Sequence, residues 1–434
     1  MAAPDLDTLV SLAKRRGFVF GSSEIYGGFA STWDYGPLGA ELIRNIKEAW
    51  WRHVVMSRED IVGLNASILM HPRVWEASGH VENFNDPLVE CPMCRRRYRQ
   101  DDVKDGKCPS DETALTEPRT FNTMFSTLVG PVKESADTAY LRPETAQSIF
   151  VNFKNVVDST RVRLPFGIAQ IGKAFRNEIT TGNFIFRSRE FEQMELEYFT
   201  EPTEDATAFK AWSDERFAWW QEFGVNPSLL RLRPHNHDEL SHYSKATNDI
   251  EYKFPFGWGE IEGIANRTDF DLLRHEKASG ETLAIFDEET KRHVRPHVIE
   301  PSAGVDRAAL AFLADAYTVQ EVRGETRVFL NLDPRLAPTK AAIFPLARNK
   351  PDLVDRARDI YKQLASSWPV LYDAGGSIGR RYARQDEAGT PFGLTVDYQS
   401  LEDNTVTVRH RDTMEQTRMP VPELRDYLDE RLAW

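Results

Sequence analysis

Residues 166–200 read FGIAQIGKAFRNEITTGNFIFRSREFEQMELEYFT, and the parsing of this stretch decides the fold. FGIAQIGKAFRNE and EFEQMELEYF have strand character. They flank ITTGNFIFRSR, whose Thr181, Gly182 and Asn183 are a turn signal, so the stretch predicts a hairpin. Side chains alternate faces along a strand. With FRNE on the first strand, Arg176 and Glu178 point one way, and Phe175 and Asn177 the other. On the return strand Phe191, Gln193, Glu195 and Glu197 share a face, and Glu192, Met194, Leu196 and Tyr198 share the opposite one. Such a hairpin presents an arginine, an aromatic ring and several carboxylates on one surface. Taken alone, the pattern equally describes a polar, solvated face of an antiparallel sheet.

Two further elements frame the hairpin. HVRPHVIE reads as a strand that runs through a small-residue turn, PSAG, into a long helix over AALAFLADAYTVQEV, with Arg307 at the helix start. A cation is unfavourable in a first helical turn, whose dipole prefers anions. Arg307 makes sense there if a phosphate occupies that helix end, or if a nearby carboxylate pairs with it. On the N-terminal side, Pro37 and Gly39 lead into an amphipathic helix, AELIRNIKEAWWRHVV, with Leu42, Ile46, Trp50 and Val54 at helical spacing.

The chain of 434 residues is long for one domain. It is 41% hydrophobic and 28% charged, an ordinary globular mixture. No run of apolar residues is long enough to span a membrane, and the N-terminus lacks the pattern of a secretory signal. Three cysteines in such a length argue against a disulfide scaffold and fit a reducing cytoplasm. The net charge of −13 argues against nucleic-acid binding through bulk positive charge. From Arg335 onward 15 basic residues balance 15 acidic ones, so the whole deficit lies before that point.

Gly324, Pro334 and Pro338 mark a boundary near residues 323–338, giving a domain over 1–330 and another over 331–434. The first carries a small cysteine-bearing insert at about 87–118 and a helical insert at about 201–250. The second alternates strands and helices: AAIFPL, PDLVDRARDIYKQLASSW, PVLYD, SIGRRYARQDEAG, FGLTVDY, NTVTVRHRD and PVPELRDYLDERL. That alternation predicts a compact α/β unit with a largely buried sheet.

In order, the proline-led helix, FRNE-loop-FEQMELEYF and GVDRAALAF resemble the three signature motifs of class II aminoacyl-tRNA synthetases. YGPLGAEL, HPRVWEASGHVENFNDP, YLRPETAQSIFVNF and EPSAGVDR narrow the resemblance to the homodimeric glycyl-tRNA synthetase type. DPRLAPTKAAIFPL and DAGGSIGRRYARQDEAGTPFGLTVD resemble the anticodon-binding domain shared by the glycine, threonine, proline and histidine enzymes. The implied fold is α/β in the broad sense (α+β): an antiparallel-sheet catalytic domain followed by an α/β anticodon-binding domain. The implied activity joins glycine to its tRNA through a glycyl-adenylate, with ATP and Mg²⁺, in a cytoplasmic homodimer. Attack of ATP on that adenylate would give diadenosine tetraphosphate as a side product.

The resemblance also implies roles. Arg176 is placed on the α-phosphate and substrate carboxylate, Arg307 on the γ-phosphate, Phe191 under adenine and Glu178 on its amino group. Asn177, Phe186, Arg187, Ser188, Arg189, Glu190, Ile261, Gly304, Val305 and Asp306 complete the ATP set, and Glu260 matches the ATP and magnesium position. Around glycine it places Glu144, Glu195 and Glu300 on the ammonium group and Ser302 near the α-carbon. Arg99, Phe191, Glu192, Gln193, Met194, Pro301, Ala303 and Gly304 complete that set. Three gathered carboxylates are costly without a cation, so they suit an ammonium site.

CPMC, residues 91–94, is half of a zinc-ribbon pattern. Its partner segment is CPSD, offering Cys108 and Asp111, where relatives carry a second cysteine pair. Three thiolates and a carboxylate allow Zn²⁺ but depart from the four-sulfur structural site; an insert folding without metal is the alternative. A non-catalytic, nucleic-acid-binding relative of the same architecture is a rival reading. It would have lost Arg176, Glu178, Phe191, Glu195, Glu300 and Arg307, and all six are present. EPSAG and LRPETAQ speak against a synthetase for threonine or proline. Arg380, Arg381 and Arg384 are tRNA phosphate candidates or, equally, a solvated helix face.

Overall fold

The computed structural model describes residues 3–131, 137–179, 182–241, 243–287 and 291–434. Thr180 and Thr181 of the hairpin loop lie outside them. The larger body is built on a seven-stranded sheet. In chain order its strands are β1 (Ile61–Gly63), β2 (Phe166–Phe175), β3 (Glu190–Thr200), β4 (Leu230–Pro234), β5 (Ala246–Phe254), β6 (Gly257–Thr268) and β7 (His297–Gly304). Across the sheet they run β4-β5-β6-β7-β3-β2-β1. All neighbours are antiparallel except β1 and β2. The decisive hairpin is thus β2 and β3, with Glu195 opposite Gln170 and Phe191 opposite Ala174.

Alternation sorts the two faces of β3. Met194 and Leu196 are fully buried in the main core. That core also receives Leu42, Ile46 and Trp50 from helix α1 (Pro37–Trp51) and most of helix α2 (Val305–Ala316). Gly36 caps α1 and Pro37 takes its first turn, where a missing N–H costs nothing. Gly39 is required where α1 meets the chain before it, because a Cβ there would lie 1.9 Å from the Phe18 carbonyl oxygen. The opposite face of β3 floors a cleft.

Several expectations shift. β2 ends at Phe175, so Arg176, Asn177 and Glu178 follow the strand rather than lie on it. HVRPHVIE is broken after Val294, and β7 then continues through EPSAG to Gly304 without a turn. The helix after it stops at Ala316; Tyr317–Val322 pairs instead with Glu325–Leu330. Its Thr and Val side chains are β-branched and suit a strand better than a helix. The region taken as a helical insert holds one long helix, Asp205–Glu222, while its β4 and most of its β5 belong to the main sheet.

The C-terminal body has its own core of Ala341, Ile343, Leu353, Ile360, Leu394, Val406, Leu424 and neighbours. Its sheet is mixed: Ala341–Pro345 runs parallel to Val370–Tyr372 and Phe392–Val396, then Thr405–His410 and Gln416–Pro420 return antiparallel. The last strand and the short helix Tyr398–Asp403 were not legible in the sequence pattern.

Candidate active site

The cleft has a volume of about 360 Å³ and is lined by β3, β5, β6, β7, the loop after β2 and the start of α2. One end is aromatic and basic. Arg176 donates its Nε–H to the Pro143 carbonyl at 3.0 Å, and its guanidinium lies 5.4 Å from the rings of both Phe84 and Phe191. Its two Nη groups have no acceptor among the described residues. Arg307 stands over Phe186 at 4.5 Å and pairs with Glu260 at 3.1 Å. Of the two alternatives weighed for it, the carboxylate partner is present, and Arg307 also faces the cleft. Arg187 is tied to Glu178 at 3.1 Å.

The other end is acidic and buried. Glu195 is 2% exposed, and its carboxylate accepts from Thr145 N (2.9 Å), Thr145 Oγ1, Gln193 Nε2 (2.9 Å) and Ser302 Oγ (2.7 Å). Burial and the nearby charge of Glu144 still push its pKa above the ordinary carboxylate value. Glu144 itself is held well below the usual range: burial opposes its charge, but His80 at 3.3 Å, Arg267 and Gln147 outweigh it. Glu300 accepts from Arg267 Nη1 through both oxygens at 2.9 Å, yet burial lifts it to about 8. Arg267, 1% exposed, also holds Asp271 at 2.8 Å.

Of the residues read from the sequence, Glu144, Arg176, Glu178, Phe186, Arg187, Ser188, Phe191, Gln193, Glu195, Glu260, Ile261, Glu300, Ser302, Gly304, Asp306 and Arg307 line this one cleft. The others do not. Glu192, Met194, Pro301 and Ala303 fall on the far face of their strands by alternation, and Glu192 pairs with Lys47 at 3.0 Å. Asn177 is turned to the Thr123 carbonyl, which its N–H reaches at 2.7 Å. Arg189 donates to the carbonyls of Ala30 and Glu178, holding the loop rather than facing the cleft. Glu190 pairs with Lys173, and Val305 is in the core. Arg99 pairs with Asp86 at 3.1 Å within the insert.

Residues the sequence reading missed include Arg267, Tyr243, His235 and Asp249. The signal for Arg267 was there: Ile261, Gly263, Ala265 and Arg267 recur with period two along β6 and all face the cleft. A register shift between Ile250 and Glu251 also lets Glu260 face the same side. Asp249 pairs with His235 at 2.7 Å, and burial together with the charge of Glu260 raises it. A Cβ on Gly263 would lie 3.6 Å from Glu260 Oε1 and 3.8 Å from Asp249 Oδ1, so both carboxylates flank this glycine.

In the insert, Cys91, Cys94, Cys108 and Asp111 bring one ligand atom each within 4.8 Å of one another. Two matching turns do this. The N–H of Arg95 reaches the Cys91 carbonyl, and that of Glu112 the Cys108 carbonyl, both at 2.9 Å. Arg95 and Glu112 both take positive φ, 60° and 58°. Asp111 therefore occupies in the second turn the place Cys94 occupies in the first. No described helix is long and apolar enough to cross a membrane.

Residues 127–316 match the tRNA synthetase class II core domain (G, H, P, S and T), and residues 340–431 the anticodon binding domain. A glycine–tRNA ligase from Thermobifida fusca is 54% identical over 99% of this chain and 98% of its own length. One from Mycolicibacterium paratuberculosis is 53% identical over 100% and 99%. Among solved structures, prolyl-tRNA synthetase from Cryptosporidium parvum, complexed with L-proline and AMP, shares the fold with a TM-score of 0.66 at 14% identity. That match covers 98% of this chain and 76% of the other. With 54% identity across nearly its full length and both domains matched in order, the chain belongs to the glycine–tRNA ligase family of class II aminoacyl-tRNA synthetases.

Proposed function

We propose that glycine and ATP meet in this cleft, with the acidic end taking the ammonium group and the aromatic, basic end the nucleotide. The observation that carries this is the division of the cleft: three buried carboxylates at one end, two arginines over phenylalanine rings at the other. The carboxylate of glycine attacks the α-phosphate of ATP, and pyrophosphate leaves. The 3′ end of the tRNA then takes the glycyl group from the adenylate. Negative charge grows on phosphoryl oxygens in the first step, so fixed donors are the main catalytic tool. Arg176 supplies an uncommitted planar fork there, and Arg307 a second cation at the helix start. Phe191 stacks under adenine, and Glu178 accepts from its amino group. Ser302, its hydroxyl fixed on Glu195 at 2.7 Å, would stand against a β-carbon, and exclusion by size discriminates better than attraction of a methyl group.

Glu260 and Asp249 form an all-oxygen pair on one side of the cleft and fit Mg²⁺, which binds through one or two carboxylates plus phosphates. Bound there, the ion would neutralise phosphate charge. In the insert, Cys91, Cys94 and Cys108 with Asp111 as fourth ligand fit Zn²⁺ in number and spacing. The assembly is a homodimer, consistent with exposed Ile25, Tyr26 and Phe29 beside the loop that Arg189 anchors. One preparation tests both points. Light scattering should give twice the 49.7 kDa chain mass, and metal analysis about one zinc per chain. A monomer, or protein free of zinc, would sink the corresponding claim.

Glycine-dependent ATP–pyrophosphate exchange tests the cleft. Glu195→Gln keeps the shape but replaces a carboxylate that accepts four hydrogen bonds. It should raise the KM for glycine by about a hundredfold, from roughly 3 kcal/mol of a buried charge-assisted interaction, and leave the KM for ATP nearly unchanged. Equal losses for both substrates would remove the ammonium assignment.

A further inference from the structure

Glu197 lies on the same face of β3 as Phe191, Gln193 and Glu195, one step beyond the reach of the cleft. It is fully buried, and neither carboxyl oxygen has a hydrogen-bond partner among the described residues. The register of β3 with β7 sets Glu195 opposite Ser302 and Tyr198 opposite Ile299, which puts Glu197 directly across from Glu300. Opposed residues on antiparallel strands have Cβ atoms about 5 Å apart, and like charges there repel. Two carboxylates at such a distance do not both ionise. The neighbourhood compensates them only in part. The Arg267 guanidinium from β6 is spent on Glu300 and Asp271. The remaining charged groups are mostly acidic: Glu195 on β3 and Glu144 before helix Ala146–Thr160, the latter with His80. His275, beyond Asp271, is held towards its neutral form by burial. A buried carboxylate with no donor is far costlier than its neutral acid.

Resting on the proposed placement of glycine, we infer that Glu197 and Glu300 share a proton beneath the ammonium site, and that the entering ammonium group expels it. The balance is simple. The O–H bond of the pair breaks, the proton leaves to solvent, and the ammonium group keeps its three protons while supplying the positive charge. The empty site thereby avoids a fixed excess of negative charge, and a cation is the ligand that releases it. Burial and the charge of Glu300 raise Glu197 well above the usual carboxylate range, in agreement with the geometry. Glu197 is a positioning residue: it acts through Glu300 rather than by touching substrate.

Calorimetric titration of glycine into the full chain, in buffers of different ionisation enthalpy near pH 7, counts the protons. Free glycine already carries its ammonium charge there and contributes none. About one proton should leave per glycine bound. Below the raised value of the pair, glycine affinity should climb by up to about tenfold per pH unit, then level off, while ATP affinity shows no such slope. Glu197→Gln should still bind glycine but release almost no proton. Zero release by the unsubstituted chain overturns the inference, and needs no variant to fold. Undiminished release by Glu197→Gln overturns the assignment to this pair. A chain that binds no glycine at all overturns the placement of glycine, and this inference with it.

Discussion

Arg176→Ala should lower the rate of glycine-dependent ATP–pyrophosphate exchange by about a hundred- to a thousandfold, roughly 3–4 kcal/mol of transition-state stabilisation. The estimate follows from how the side chain is held. Its Nε–H is fixed on the Pro143 carbonyl, and the guanidinium lies beside the rings of Phe84 and Phe191. Those contacts set the direction of the fork while leaving both Nη groups unspent among the described residues. Donors that are already oriented need no reorganisation when charge develops on a phosphoryl oxygen. Arg307, by contrast, has an Nη committed to Glu260 and its Nε to the Phe186 carbonyl, so its loss should cost less. Arg176→Lys should recover only a small part of the rate, since a point charge replaces a planar fork. The loss should fall mainly on kcat. A decline of less than tenfold, in protein with an unchanged melting transition, would show that Arg176 does not act on the reacting phosphate.

How much of this was legible beforehand differs by element. The β3 strand was readable residue by residue, because one face had to be buried and a period of two leaves only one choice of face. Phe191, Gln193 and Glu195 reached the cleft and Leu196 the core, whereas the same alternation takes Glu192 and Met194, which the resemblance set beside glycine, to the far face. The same rule, applied to residues 261–267, would have found Arg267. None of the stretches that carry the family resemblance covers residues 261–267, so they do not point to Arg267. Three gathered carboxylates call for a cation, and besides any substrate ammonium group the chain supplies a guanidinium of its own. Arg176 and Glu178 reached the cleft for a different reason than alternation, since β2 stops at Phe175 and the chain leaves the sheet there. Where a strand ends is set by tertiary pairing, which residue pattern does not encode. The pairing of Glu197 with Glu300 joins residues about a hundred positions apart, and only the register of β3 with β7 reveals it. The equivalence of Asp111 with Cys94 likewise appears only once both turns are folded.

Arg267→Met should destabilise the catalytic domain by about 3–5 kcal/mol, the usual consequence of removing one partner from a buried ion pair. Arg267 is 1% exposed and bonds to both Glu300 and Asp271, with its guanidinium 3.9 Å from the centre of the Tyr243 ring. Methionine fills much of the volume of the stem, so the loss reports charge rather than a cavity. The orphaned carboxylates should respond by holding protons, which gives the deficit a sign. In the folded variant Asp271, and Glu300 beyond its already raised value in the parent, would bind protons more tightly than in the folded parent. Stability falls with rising pH wherever the native state binds more protons, so the gap between variant and parent should widen from about pH 5 to pH 8. In the parent, Asp271 and Glu300 hold Arg267 firmly charged despite burial, so its contribution stays intact across that range. Urea denaturation followed at both pH values, reading the transition of the catalytic domain, measures the difference. A variant as stable as its parent at pH 8 would mean that the carboxylates are neutral throughout. The acidic end of the cleft would then be a set of hydrogen-bonding acids rather than a charge site awaiting a cation.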